Sequence, residues 1–458
     1  MKKYADLDLD ERLKVTHAIC EELEAEAEQL ATGTWPKQAP SFIDGNKVLH
    51  NVLGDYLVKN LNVCKINGAL HIYDNGIYKR DDDILHGHMI QLVPNITDTK
   101  RREVYKYMKA NLATPCKELS SPNLIPFKTK IFDIQTCKFI DYSPKYVFLN
   151  RFPYDYIPDA PVEKLVTETI TQIADGDDEV VQLIDEAFGN CFYLLNSFRG
   201  AVMTYGNGSN GKSTLFNMLR QMLGKENTSS LSLQDTSERF RLAEVYGKAA
   251  NIGDDMPDTY LPDSAIFKKL VTGEPVMAEK KGQDVFSFVS NAKMFFSMNK
   301  LPSVSDKSRA FFGRLLPIPL SRDFSQSPDI GLKERKWTQA EMEYLTKRAM
   351  DGLFTLQIRG GFIKPQKVLE ALREYEISNN PVLEFLEEYG NIEWKPISAT
   401  YSSFRIWCER TGHKKILTQT GFTIEASKIT KTKSESIRSA GYKNTIRCFV
   451  PLSHTEML

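Results

Sequence analysis

The stretch GNGSNGKST, Gly206 to Thr214, sets glycines at 206, 208 and 211, a lysine at 212 and hydroxyls at 213 and 214. This is the pattern G-x-x-x-x-G-K-[ST], and the chemistry it serves is the holding of phosphate. Glycines let the chain curl until backbone N–H groups converge on a β-phosphate, Lys212 reaches the β- and γ-oxygens, and the Ser213 hydroxyl is a Mg²⁺ ligand. Gly206, Asn207, Gly208, Ser209, Asn210, Gly211, Lys212, Ser213 and Thr214 are therefore expected to bind ATP. Hydrolysis needs a carboxylate as well, to hold Mg²⁺ and orient an attacking water. KAANIGDD offers Asp254 and Asp255 at the end of an apolar run. Both are candidate catalytic groups, and Asp254 joins Ser213 as the expected Mg²⁺ contact.

Such residues need a scaffold that brings distant segments to one edge. AVMTY, KAANIG, KMFFSM and RLLPIPL are short apolar runs separated by helical or polar stretches, the spacing of a mostly parallel sheet with helices on both faces. The fold class expected is α/β, with the phosphate loop joining strand AVMTY to helix STLFNMLRQML. Four regions follow from the pattern along the chain. Residues 1–60 read as an N-terminal helical region. Residues 61–160 read as a small α+β domain, with a hairpin turning at Asp74-Asn75-Gly76 and a helix in TKRREVYKYMKANL. The nucleotide-binding core spans 161–365, and a basic domain of short helices with a strand at TIRCFV spans 366–458.

Composition sets outer limits. The 458 residues are 41% hydrophobic with a formal net charge of zero, enough for several globular domains. No apolar run approaches the roughly 18 residues of a membrane span, and the start is charged, so a cytoplasmic protein with no membrane partner is expected. Seven scattered cysteines without a C-x-x-C pair fit reduced thiols. Charge is uneven: residues 1–30 hold nine acids against four bases, and residues 396–458 ten bases against four acids. This asymmetry points either to different partners for the two ends or to ordinary solvated faces.

The order GNGSNGKST, NIGDD, KMFFSMNKLP, FFGRLLPIPL resembles the superfamily 3 helicases, hexameric AAA+ motors of phages, small viruses, plasmids and mobile genetic islands. The segment around NGALHIYDNGIYKR and IPFKTKIFDIQTCKFIDYSPKYVFLNRFPYDY is similar to the accessory domain that precedes the motor in phage and poxvirus primase-helicases. The resemblance implies a polar sensor at Asn299, which helps place water against the γ-phosphate. It also implies an arginine supplied to a neighbouring subunit at Arg314, where many relatives have two adjacent arginines and this chain has Gly313 then Arg314. Nearby Arg309 is a candidate to share that role. It implies that VMAEKKGQDVFSF is a hairpin whose tip, Lys280 and Lys281, enters a central channel and follows single-stranded DNA through its phosphates. An ordinary solvated turn is the alternative for that tip. The C-terminal domain resembles a winged helix, with binding of duplex DNA or packing on the motor as its possible roles.

What the resemblance implies is an ATP-dependent DNA helicase for replication of a phage, plasmid or mobile island. It would act as a homo-oligomeric ring, expected to be hexameric, on single-stranded and forked DNA in a bacterial cytosol, with a separate primase or other replication proteins as further partners. The alternative is an origin-binding initiator whose ATPase drives assembly and melting. A P-loop kinase or signalling ATPase is the third reading.

Overall fold

The computed structural model describes residues 41–45, 47–66, 68–256, 259–279, 285–325, 330–413, 416–438 and 445–452. The chain divides into two compact units, 1–119 and 120–458. In the first unit, strand Ala69–Asp74 pairs antiparallel with Cys64–Ile66 on one side and Ile77–Lys79 on the other. Its turn runs through Asn75 at φ 46° and Gly76 at φ 92°, the left-handed pair that a two-residue hairpin requires. Helices His50–Asn60, Asp82–Leu92 and Asp98–Ala110 bury Leu53, Leu57, Met89, Val104 and Met108 with Leu70 and Ile72 of that strand.

The boundary falls earlier than the sequence pattern predicts, at 119 rather than 160. Strands Leu124–Pro126, Ile131–Asp133 and Lys138–Ile140 form a small antiparallel sheet in the second unit. The reason is apolar packing: Ile125, Phe127, Phe132, Phe152 and Tyr156 are buried in one cluster with residues of helices Lys164–Ile173, Asp178–Asn190 and Lys212–Leu223.

The centre of the second unit is a five-stranded sheet, parallel throughout. Its order is Thr228–Ser229, Ala250–Met256, Lys293–Met298, Ala201–Tyr205, Leu315–Pro319. Side chains alternate between two cores, as period-two strands buried on both faces must. Val202, Ile252, Phe295, Leu316 and Ile318 point into the cluster with the P-loop helix Lys212–Leu223 and helix Gln339–Arg359. Ala201, Met203, Met294, Phe296 and Leu315 point into the cluster with helix Ala265–Thr272 and Tyr375 of helix Gln366–Asn379. The α/β class read from the apolar runs is thus what folds.

Helices Asp178–Asn190 and Gln339–Arg359 meet backbone to backbone. A Cβ on Gly189 would stand 1.9 Å from the Ala349 carbonyl oxygen, and one on Gly352 2.4 Å from that of Asp185. The charges trapped beside this contact are paired: the wholly buried Glu186 accepts from Arg359 Nη1 at 2.7 Å, Gln182 Nε2 at 3.0 Å and Ile363 N at 2.9 Å.

The basic end folds as helices Pro381–Tyr389, Ile397–Thr411 and Gln419–Thr430, followed by the antiparallel hairpin Thr432–Arg438 and Thr445–Pro451. Phe385, Phe404, Trp407, Phe422 and Phe449 are buried together between them. Three helices closed by a two-stranded wing is the winged-helix layout expected from the sequence. Among the described residues no helix is long and apolar enough to cross a membrane.

Candidate functional site

Glycines shape the phosphate loop. Gly206 leaves the strand at φ 155° and Gly211 opens the helix at φ 84°, with Ser209 left-handed at 62° between them. A Cβ on Gly206 would lie 2.4 Å from the Leu320 carbonyl oxygen, and one on Gly211 2.6 Å from Ile173 Cγ1. A side chain at either position would collide with these neighbours. The segment after the last strand clasps the loop: the Leu320 and Phe324 N–H groups donate to Tyr205 O and Ser209 O, each at 2.8 Å. Inside the curl, buried Asn210 donates to Leu320 O at 3.0 Å and accepts from Lys212 Nζ at 2.7 Å. The same Nζ donates to Gly206 O at 2.7 Å. Lys212 is therefore held on oxygen acceptors of the loop. Burial lowers its pKa below the ordinary lysine value, and Asp255 and then Asp254 oppose that shift, so both carboxylates are within electrostatic reach of the loop.

Asp254 and Asp255 sit in a β-bulge. The ladder pairs Gly253 with Phe296 and resumes with Met256 opposite Met298, so two residues of the Ala250–Met256 strand oppose Ser297 alone. Asp255 adopts φ 53°, a left-handed conformation uncommon for a residue with a Cβ. Both oxygens of Asp254 are engaged: the Ser297 hydroxyl and the Asp255 N–H donate to Oδ1, and Arg220 of the P-loop helix stands 3.6 Å from Oδ2. The Asp255 side chain is exposed, and its carboxylate has no hydrogen bond or ion pair among the described residues.

Parallel register fixes the remaining candidates. Met298 pairs with Tyr205 and its carbonyl accepts from Gly206 N at 3.3 Å, so exposed Asn299 emerges at the same edge as the phosphate loop. Arg314 emerges at the opposite edge: its carbonyl accepts from Ala201 N at 2.7 Å, at the start of the strand whose end carries the loop. Its guanidinium donates Nη1 to Ala310 O, and Nε is buried without a partner among the described residues. Arg309 is exposed on the short helix Arg309–Phe312 that precedes it. Where the sequence predicts a hairpin, strands Pro275–Ala278 and Phe286–Val289 pair antiparallel; Lys280 and Lys281, the expected DNA contacts, lie outside the described residues. Lys268, on the preceding helix, forms an ion pair with Asp306 at 2.6 Å.

One edge thus gathers the loop, Asp254, Asp255 and Asn299. Sequence reasoning did not single out Ser297 and Arg220, or the brace made by Asn210. The signal for Ser297 was its hydroxyl within the apolar run MFFSM; Arg220 resembles any polar residue on an amphipathic helix.

Three family models match separate stretches: "D5 N terminal like" over residues 15–175, a family of unknown function (DUF5906) over 204–314, and "Poxvirus D5 protein-like" over 377–446. The chain is similar to the D5-type primase-helicases. The poxvirus D5-like stretch covers the three helices and the first wing strand of the C-terminal layout, and the family of unknown function covers the phosphate loop through Arg314. A protein of Invertebrate iridescent virus 3 named "Putative helicase 121R" is 25% identical over 341 residues, 65% of this chain and 36% of that protein, so the chain spans about a third of its relative. The apo C-terminal region of NrS-1 superposes with a TM-score of 0.50 at 14% identity, covering 87% of this chain and 98% of that one, a likeness of fold.

Proposed function

We propose that this chain is an ATP-dependent DNA helicase that acts in the replication of a phage, plasmid or mobile genetic island, translocating on single-stranded DNA as a hexameric ring in a bacterial cytosol. The observation that carries the reading is the division of the sheet into two edges. The phosphate loop, Asp254, Asp255 and Asn299 share one edge, while Arg314 leaves the other, where its Nη1 would exchange Ala310 O for a neighbouring nucleotide. The D5-related stretches on both sides of the motor support the replication setting.

In this reading residues 206–214 bind the ATP phosphates, and Lys212 moves from Gly206 O and Asn210 Oδ1 to the β- and γ-oxygens. Ser213 and Asp254 would hold Mg²⁺, whose charge neutralises the transferring phosphoryl group. The glycine cradle and the acidic pair opposite Lys212 fit that demand. Asp255 orients the attacking water with Asn299, and a neighbour's Arg314 stabilises the charge that develops. Lys280 and Lys281 would follow the DNA backbone, and a separate primase or other replication proteins would be recruited. The four regions 1–60, 61–160, 161–365 and 366–458 would be the functional divisions, with 120–160 built onto the motor.

The three-helix-and-wing layout favours a second reading, an origin-binding initiator whose ATPase drives assembly and melting at one duplex site. Strand displacement on forked DNA that carries no origin separates the two. Unwinding that requires ATP and is lost in Lys212→Ala is expected of the helicase. Displacement only on one duplex sequence would favour the initiator.

A further inference from the structure

Resting on the ATPase reading, we infer that Ser297 is the positioning residue of the acidic pair, with Arg220 as its second support. The Ser297 hydroxyl is a single relay. It accepts from the Asp255 N–H at 3.0 Å and donates its own proton to Asp254 Oδ1. Its own side chain is buried, at 1% exposure. It is also the one residue that the bulge sets against two, so it occupies the place where the ladder between the Asp254–Asp255 strand and the Asn299 strand is interrupted.

Two consequences follow from that place. The hydroxyl supports Asp255 in its left-handed conformation by sharing with Asp254 Oδ1 the N–H that the bulge takes out of the ladder. It also joins Arg220 in fixing Asp254, the hydroxyl beside the Asp255 N–H on Oδ1 and Arg220 on Oδ2, which leaves the Asp255 carboxylate as the freely presented acid beside Lys212. Arg220 is held in turn by donating Nη2 to Ile252 O at 3.3 Å, on the same strand. Removing the hydroxyl leaves every ATP-contacting residue in place but releases the direction of the acid that orients water. Turnover is then lost while binding is kept.

The test is steady-state ATP hydrolysis by the full chain as wild type, Ser297→Ala, Ser297→Thr and Arg220→Gln, with thermal unfolding with and without ADP and Mg²⁺ as a control for folding and binding. Ser297→Ala should lower kcat about 10- to 100-fold, the usual cost of a lost outer support, with KM for ATP and the ADP-induced shift in Tm retained. Ser297→Thr keeps the hydroxyl and should recover most of kcat. Arg220→Gln alters a side chain that is one-third exposed and should show the same kcat-only loss, smaller in size, even if Ser297→Ala folds poorly. Wild-type kcat in folded Ser297→Ala, no recovery in folded Ser297→Thr, or unchanged kcat in Arg220→Gln overturns the inference. So does a kcat loss that tracks loss of ADP binding. A wild-type protein that neither binds nor hydrolyses ATP overturns the ATPase reading itself.

Discussion

If Arg314 serves a neighbour's nucleotide, two inactive variants should restore each other. Arg314 is tied to Ala201 at the start of the P-loop strand, and the loop begins after Tyr205 at its end. Four strand steps at about 3.3 Å each separate them by about 13 Å, too far for the arginine to reach phosphates bound in its own chain. Arg314→Ala alone keeps an intact loop and should lose about 10³- to 10⁵-fold in turnover, the usual worth of an arginine finger. Lys212→Ala alone keeps an intact finger and should be inactive because the loop no longer grips the β- and γ-phosphates. In an equimolar mixture with random exchange, half of the subunits bring a sound loop and half a sound finger. About a quarter of the interfaces then combine the two, and ATP turnover should approach about a quarter of the wild-type rate per subunit. Phosphate release after labelled subunits have been shown to exchange is the assay. A mixed sample no faster than either variant alone would refute the trans assignment.

Asp255→Asn should still bind nucleotide, measured by fluorescent ATP analogue titration, while phosphate release falls to background; retained turnover would assign the water-orienting role elsewhere. Replacing Lys280 and Lys281 together by Ala should weaken single-stranded DNA binding and reduce the slope of log K against log salt by about 1.4, for two lost phosphate contacts. An unchanged slope would move the DNA path off this hairpin. Burial alone would raise the pKa of Asp306, but hydrogen bonds from Lys268, Ser308 and Ser264 outweigh it and hold the carboxyl well below the usual range. A depressed folded-state pKa contributes stability above the unfolded value and loses it as pH falls. The Tm advantage of wild type over Asp306→Asn should therefore hold above about pH 5 and shrink progressively as pH falls below the unfolded-state value of about 4, and a constant difference would mean that the ion pair does not support the fold.

Local backbone geometry was legible in the sequence wherever one short segment carries it. Gly206 and Gly211 announce the loop because its tight curl has no room for a Cβ, and Asn75-Gly76 announces its hairpin because both residues tolerate positive φ. The runs AVMTY, KAANIG, KMFFSM and RLLPIPL read correctly as buried strands because a sheet covered on both faces demands continuous apolar residues. What depends on pairing between distant segments was not legible. Ser297 gains its meaning from standing opposite a bulge on a strand more than forty positions away in the chain, and no periodicity encodes that register. The unit boundary at 119 escaped for a related reason: Phe127, Phe132 and Tyr156 look alike whether they close a small domain or pack onto helices of the motor.

The central claim, that ATP hydrolysis at the Lys212 loop is harnessed to DNA, is tested most directly by the rate of phosphate release from the wild-type chain with and without single-stranded DNA. The account predicts a Mg²⁺-dependent rate that rises on addition of DNA and vanishes in Lys212→Ala under both conditions. A rate indifferent to DNA across a salt titration would contradict it and leave an ATPase or kinase with no nucleic-acid partner.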